Sequence, residues 1–203
     1  MEYAPLCEIM GRVNWAPEVF NCSAPDTGNM EVLERVGTSE QKEQWLTPLL
    51  NGEIRSAYAM TEPALPSSDA KNISTSAVLD GDEWVISGQK VWNSGAQSAD
   101  YGILLARTDF AAAKHQGISF FLLPMRQSTV EVRPLHQMNG HSSFNEVFLN
   151  EARLPHENLI ASEGEGWRVA LTTLAHERSA VATPRPKFPS NRSPLVQAAK
   201  AEA

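Results

Sequence analysis

The sequence is poor in the residues that mark metal and redox sites. Only 2 of its 203 residues are cysteines, Cys7 and Cys22, and their spacing is not the Cys-x-x-Cys of a metal or dithiol site. The 5 histidines likewise lack the paired spacing that is typical of metal ligands. We therefore predict no metal site and interpret both cysteines as free, partly buried thiols, with a short disulfide as the alternative.

Positive charge and long apolar runs are scarce as well. The chain has 17 Lys and Arg against 24 Asp and Glu, which gives a formal net charge of -7. Because a nucleic-acid surface needs clustered basic residues, this balance argues against a nucleic-acid partner. No apolar run has the length to cross a bilayer, and residues 1–5 have neither the basic nor the apolar region of a secretory signal. A soluble intracellular protein without a transmembrane segment is the expectation.

Helical spacing is present at both ends of the chain. In residues 1–52, Thr38 followed by Gln41 three positions later is typical of a capping box, and Gly52 predicts the end of the helix that the box begins. The helical period returns in residues 156–182. Both segments are rich in apolar residues that recur on one face, which predicts that they pack against the region between them.

The region between the helical segments has the period of β-strands. Residues 53–155 contain short runs rich in β-branched and aromatic residues, and Asp80-Gly81 between two of them indicates a hairpin. Repeated strands without helices between them predict an antiparallel barrel or sandwich inside an α+β fold. The Pro-rich tail, 183–203, is expected to be disordered or a linker. The predicted strands are 55–61, 73–79, 83–86, 90–93, 101–108, 117–124, 130–135 and 144–149.

One stretch of the strand region has the residues that a ligand site needs. It combines an indole with several hydroxyl groups, which suits a flat and partly polar heterocycle. Its residues are Tyr58, Met60, Thr61, Glu62 and Pro63, then Ser67, Ser68 and Asp69 in a turn of small residues, and finally Gly88, Lys90, Trp92, Asn93 and Ser94.

In order and spacing, this stretch resembles the flavin-binding strand and loop of the acyl-CoA dehydrogenases. Members of that family have an aromatic-x-x-Thr-Glu-Pro run, a Ser-Asp pair shortly after it, and Gly-x-Lys-x-Trp with a hydroxyl residue two positions further on. The resemblance implies that residues 1–52 end a helical domain, 53–155 form a flavin-binding β-domain, and 156–182 begin a C-terminal helical bundle. Because residues 183–203 do not share the likeness, a C-terminally truncated member is the expectation.

The resemblance also implies roles for individual residues. FAD would be held by Tyr58, Met60, Thr61, Ser67, Trp92, Asn93 and Ser94, with Thr61 and Ser94 at the edge of the ring and Trp92 against its face. Ser68 and Arg178 would contact the acyl-CoA, and Glu177, directly before Arg178, would be the catalytic base. Taken one by one, these residues have simpler interpretations: a core indole, a strand threonine, solvated serines and a helical Glu-Arg ion pair. The turn is also one residue longer than the commoner Gly-Ala-Gly-Ser-Asp, so the serine that meets the ligand is left open.

The implied reaction is the FAD-dependent oxidation of an acyl-CoA thioester between its α and β carbons, as in fatty-acid oxidation. Its product is the trans-2-enoyl-CoA, and an electron-transferring flavoprotein or a similar protein accepts the electrons. A full-length member would be a homo-oligomer, cytoplasmic in a bacterium and mitochondrial or peroxisomal in a eukaryote. The alternatives are a catalytically inactive module that binds flavin, acyl-CoA or a partner, and a structural β-sandwich adaptor without a ligand.

Overall fold

The computed structural model describes residues 3–13, 15–65, 69 and 72–181, and for 176–181 it describes the helix but not the side chains. The tail 183–203, Ser67 and Ser68 therefore lie outside the described residues. The helices are α1 (Tyr3–Met10), α2 (Ala16–Val19), α3 (Asp26–Val36), α4 (Ser39–Gln41), a π-helical turn (Lys42–Leu46), α5 (Thr47–Leu50) and α6 (Gly166–Val181).

The capping box at the start of α4 is confirmed. The Gln41 backbone N–H donates to Thr38 Oγ1, and the Thr38 backbone N–H donates to Gln41 Oε1, each at 3.2 Å. The predicted helix end is also present, because Gly52 follows α5 in a left-handed conformation with φ of +72°. Helix α3 begins earlier than the apolar spacing indicates, at Asp26, whose carboxylate accepts hydrogen bonds from the backbone N–H and the hydroxyl of Ser56. A tertiary contact therefore sets this boundary.

Eight strands form one mixed sheet, which confirms the α+β prediction. The sheet order is β6-β7-β3-β2-β4-β5-β8, with β1 paired to β4. Most pairs are antiparallel as predicted, whereas β1–β4 and β2–β4 are parallel. The strands are β1 (Ser56–Ala59), β2 (Ser76–Asp80), β3 (Glu83–Lys90), β4 (Tyr101–Arg107), β5 (Ile118–Pro124), β6 (Val130–Leu135), β7 (Phe144–Pro155) and β8 (Leu159–Ile160).

The β2–β3 hairpin forms at the predicted turn, but the chain after it differs from the prediction. Asp80 pairs with Glu83 across Gly81, which has a left-handed φ of +68°. The prediction of a separate strand over 90–93 was wrong, because β3 continues through Lys90 with a register shift between Ile86 and Gly88. The chain then leaves the sheet, and this departure places Val91 and Trp92 at the edge of a cavity.

Both faces of the central strands are covered. Along β4, Ile103 and Leu105 belong to an apolar cluster with α3, α5 and α6, whereas Leu104 and Ala106 belong to a second cluster within the sheet. Strand β5 alternates in the same way. These two strands are therefore buried along nearly their whole length, and they are the rigid support beside which the candidate site lies.

No helix of the described part of the chain is long and apolar enough to cross a membrane. Within those same residues, no group of three His, Cys, Asp or Glu side chains could hold a metal ion. Both cysteines are free, with Cys22 half-buried and Cys7 exposed.

Replacing Gly88 with Ala is expected to lower the free energy of unfolding by about 1–3 kcal/mol. The added Cβ would lie 2.6 Å from Thr75 Oγ1 and 2.8 Å from its Cα, so backbone would have to move. Gly28→Ala in α3 is the matched control, because its Cβ would meet only Thr173 Cγ2, at 3.6 Å. Helix propensity predicts that this variant gains about 0.5 kcal/mol. Thermal denaturation measures the stability of both variants. A Gly88→Ala protein as stable as Gly28→Ala would contradict the expectation.

Candidate functional site

A cavity of about 260 Å³ lies where the end of β1, the segment after β3 and the face of α6 meet. Its walls combine aromatic rings, aliphatic side chains and two hydroxyl-bearing side chains. They are formed by Tyr58, Met60, Thr61, Val91, Trp92, Trp167 and Leu174. The cavity thus brings together four residues that the resemblance assigns to FAD binding, namely Tyr58, Met60, Thr61 and Trp92.

Hydrogen bonds hold the two polar walls of this cavity in register. The Val91 backbone N–H donates to the Thr61 carbonyl at 2.9 Å. The Asn93 amide Nδ2 donates to the Tyr58 carbonyl at 2.7 Å. Asn93 and Asn145 also exchange backbone hydrogen bonds of 3.1 Å in both directions. The segment after β3 therefore runs beside the end of β1, from Tyr58 within that strand to Thr61 just beyond it.

Trp92 has a backbone conformation that bulky residues rarely adopt. Its φ is +65°, and its side chain is 60% exposed with one edge-on aromatic neighbour, Phe144, at 6.1 Å between ring centroids. A left-handed conformation costs an L-residue about 1–2 kcal/mol, so it persists only where neighbouring bonds impose it. The hydrogen bonds of Val91 and Asn93 on either side impose it here. Strain of this kind is concentrated at binding and active sites, and in this case it keeps an indole at the cavity wall.

A buried ion pair lies behind these walls, and sequence reasoning gave it no role. Lys90 is fully buried and Glu62 is 4% exposed. The Lys90 ammonium donates to Glu62 Oε1 at 2.9 Å and to the Met60 carbonyl at 3.0 Å. The carboxylate also accepts from the backbone N–H and hydroxyl of Ser74, at 2.9 and 2.7 Å, and from the Thr75 N–H at 2.9 Å. Glu62 and Lys90 were part of the recognised motif, but their separation along the chain gave no sign of this contact.

Burial and the charges of the pair act in opposite directions on both pKa values. Burial alone would raise the pKa of the Glu62 carboxyl, but the charge of Lys90 and the hydrogen bonds from Thr75 and Ser74 outweigh it and lower the pKa from 4.5 to about 2. Burial lowers the pKa of Lys90 from 10.5 to about 8, and the Glu62 carboxylate opposes that shift. Both groups are therefore charged at neutral pH, and the pair is electrically neutral as a unit.

The other predicted site residues lie outside the described walls of the cavity. Asn93 is 1% exposed, and its amide serves the hydrogen bond to Tyr58. Ser94 is half-buried. Glu177 and Arg178 lie within α6, and their side chains are outside the described part. Sequence reasoning missed Val91, Trp167 and Leu174 as wall residues, although Trp167 and Leu174 lie in the segment 156–182 that was predicted to be helical.

Asn93→Ala is expected to lower the free energy of unfolding by about 1–3 kcal/mol. The substitution removes the donor to the buried end of β1 and leaves the Tyr58 carbonyl without that partner. Asn150→Ala, at an exposed position of β7, is the control and should be close to wild type. Urea denaturation measures both. Equal midpoints for Asn93→Ala and wild type would show that this hydrogen bond adds nothing to stability.

The cavity has the chemistry to hold a planar ring system. An exposed indole offers a stacking surface, and the Thr61 hydroxyl and nearby backbone groups can bond the polar edge of a ring. Its volume lies just below the roughly 300–1,000 Å³ of typical small-molecule sites. The walls therefore fit the ring portion of a flavin, whereas the rest of a dinucleotide would have to lie beyond them.

Comparison with known proteins connects this site to one enzyme family. The family model "Acyl-CoA dehydrogenase, middle domain" matches residues 57–152, which include most of the sheet and both polar walls of the cavity. Among curated relatives, "Probable acyl-CoA dehydrogenase IBR3" of Arabidopsis thaliana is 48% identical over 187 residues. "Probable acyl-CoA dehydrogenase FadE2" of Mycobacterium tuberculosis is 44% identical over 184 residues.

The fold has close matches among solved structures as well. The crystal structure of an acyl-CoA dehydrogenase from Geobacillus kaustophilus superposes with a TM-score of 0.72 at 30% identity, and the match covers 84% of this chain and 49% of that one. Each of the two curated relatives aligns with 88% of this chain, but this chain spans only 22% of the Arabidopsis protein and 45% of the Mycobacterium protein.

Proposed function

The chain belongs to the acyl-CoA dehydrogenase family, and from this premise we propose that it binds FAD in the cavity between Thr61 and Trp92. The proposed reaction is the α,β-dehydrogenation of an acyl-CoA thioester to the trans-2-enoyl-CoA. The observation that carries the proposal is the convergence of Tyr58, Met60, Thr61 and Trp92 on one cavity. These residues come from two segments about 30 positions apart, so their meeting is a property of the fold.

The residues of the chain would position the reactants. Thr61 would hydrogen-bond the edge of the ring, and Trp92 would cover one face. The flavin, when bound, supplies the acceptor for the hydride that leaves the β carbon. Ser67 and Ser94 remain proposed contacts of FAD, and Ser68 and Arg178 remain proposed contacts of the acyl-CoA.

We propose Glu177 as the base that removes the α proton. Leu174 lines the cavity from α6, and Glu177 occupies the position three residues later in the same helix. Positions three apart are neighbours on one side of a helix, which supports an approach of Glu177 toward the substrate side. A carboxylate near an apolar cavity tends to have a raised pKa, which suits a base.

The electrons would pass to an electron-transferring flavoprotein or a protein of similar chemistry. In the whole protein we propose a homo-oligomer that acts in fatty-acid or related acyl-CoA oxidation. A second candidate function is a catalytically inactive module that binds flavin, acyl-CoA or a partner. The observation that favours it is that the described residues lining the cavity include no carboxylate that could act as a base.

One spectroscopic experiment tests these proposals. The purified chain is reconstituted with FAD, and its visible spectrum is recorded before and after anaerobic addition of acyl-CoAs of several chain lengths. Loss of the visible absorption band of the oxidised flavin supports the dehydrogenase. A bound flavin that no acyl-CoA reduces supports the inactive module. Failure to bind FAD at all overturns the proposed cofactor site.

A further inference from the structure

The two residues of the Glu62–Lys90 ion pair are next in sequence to two different walls of the cavity. Glu62 follows Thr61 directly, and Lys90 precedes Val91 and Trp92. Thr61, Val91 and Trp92 all line the cavity. Each charged residue is thus covalently next to a wall, and the salt bridge of 2.9 Å joins the two walls from behind.

The pair connects three segments that are far apart in sequence. Lys90 bonds the Met60 carbonyl at 3.0 Å, and Glu62 accepts three hydrogen bonds from Ser74 and Thr75 just before β2. The Thr75 carbonyl in turn accepts from the Arg107 backbone N–H at the end of β4, at 2.7 Å. The walls of the cavity are therefore anchored, through the pair, to the central strands of the sheet.

Stability alone does not account for ionic groups at this place. A buried pair must be stripped of water, and apolar side chains of similar volume are often as stable or more stable. What charged groups offer that apolar groups do not is directional bonding at fixed distances. Here every hydrogen bond of the pair ends on backbone or side-chain atoms that flank the cavity walls or begin β2.

We propose that Glu62 and Lys90 are positioning residues of the ring site, which fix the spacing between the Thr61 wall and the Trp92 wall. This inference rests on the proposed function for the identity of the ligand. The geometry does not depend on the ligand, because the Val91–Thr61 hydrogen bond and the ion pair are formed by protein atoms alone. Neither residue needs to touch the cofactor.

The test compares Glu62→Gln, Lys90→Met and the double variant Glu62→Gln/Lys90→Met with a destabilised control. Leu154→Ala is the control, because Leu154 is fully buried and pairs with Trp84, at the other end of the β3–β7 ladder from Lys90. The double variant removes both charges, so it is expected to regain part of the stability that each single variant loses. This recovery separates the positioning of the walls from the stability of the fold.

The first measurement is amide hydrogen exchange of the ligand-free proteins. The Val91 amide, which bonds the Thr61 carbonyl, is compared with the amides of β4 and β5 in the same sample. In all three pair variants, Val91 is expected to lose at least about tenfold more protection than the β4 and β5 amides. In Leu154→Ala, Val91 should lose no more than they do. If the Val91 amide of the double variant loses no more protection than the amides of β4 and β5, the proposal is overturned.

The second measurement is the dissociation constant for FAD, from quenching of flavin fluorescence at a temperature where every variant is folded. We expect it to rise at least about tenfold in the pair variants, the recovered double variant included, and less than about twofold in Leu154→Ala. A double variant that binds FAD as tightly as wild type would overturn the positioning role. If the wild-type chain does not bind FAD, the proposed function fails, and the exchange of the Val91 amide still decides the positioning role.

Discussion

Glu62→Gln is expected to lower the free energy of unfolding by about 3–5 kcal/mol at neutral pH, the cost of breaking a buried ion pair from one side. The variant leaves the fully buried Lys90 ammonium without its counter-charge, and the neutral amide cannot replace the carboxylate as acceptor for Lys90, Ser74 and Thr75 together. Equilibrium urea denaturation of wild type and variant at pH 7 measures the difference. Glu131→Gln, which loses only an exposed ion pair with Arg133, is the matched control. Its urea midpoint should equal that of wild type.

The same prediction has a defined pH dependence. The folded-state pKa of Glu62 is about 2, below its usual 4.5, so its contribution is fully present above about pH 4.5 and is lost as the pH falls toward 2. The difference between these pKa values corresponds to about 3 kcal/mol. The gap between wild type and Glu62→Gln should therefore narrow steadily from pH 5 to pH 3, a range chosen to lie roughly between the two pKa values. A gap that stays constant over this range would show that the carboxylate charge is not what stabilises the fold.

The features that could be predicted from the sequence are those that depend on near neighbours in the chain. Thr38 and Gln41 are three residues apart, and the hairpin at Asp80 and Gly81 joins adjacent strands, so each signal is contained in a few positions. The buried strands β4 and β5 were also predictable, because their apolar runs are bounded by turn residues. The motif residues Thr61 and Trp92 belong to the same class of local signal.

What the sequence did not predict depends on contacts between distant segments. The parallel pairing of β1 with β4 joins strands that have the whole β2–β3 hairpin between them. The early start of α3 at Asp26 is accompanied by hydrogen bonds to Ser56, which is 30 residues further along the chain. The left-handed conformation of Trp92 could not be predicted either, because bulky residues such as tryptophan rarely adopt a positive φ and nothing in the local sequence signals one. Periodicity gives the elements, and these tertiary bonds give the site its shape.

Helix α6 completes the site from the other side of the cavity. Trp167 and Leu174 both line the cavity and are seven positions apart, which is two helical turns and therefore one face. Val169, on another face, and Ala170, between Trp167 and Leu174 on the same side, are fully buried in the core with α3 and β5. The helix is therefore held by its buried residues, while Trp167 and Leu174 close the cavity.

Glu177→Gln is expected to slow the reduction of bound flavin by acyl-CoA by about 10²–10⁴-fold, the range that a general base contributes. The amide keeps the size of the side chain but cannot accept the α proton. Stopped-flow absorbance under anaerobic conditions measures the rate, with the FAD and acyl-CoA concentrations saturating for each protein. Binding of FAD should be unchanged, because the proposed role of Glu177 begins only when the acyl-CoA is present.

Glu165→Gln is the matched control for this substitution. Glu165 directly precedes the same helix, and its carboxylate forms an ion pair with Arg168 at 3.1 Å. The substitution makes the same change of charge next to the same helix, at a residue that does not line the cavity, so its reduction rate should equal that of wild type. Equal rates for Glu177→Gln and Glu165→Gln would remove Glu177 from the mechanism, because a missing base cannot leave proton removal unaffected. The α proton would then have to be taken by a carboxylate outside α6.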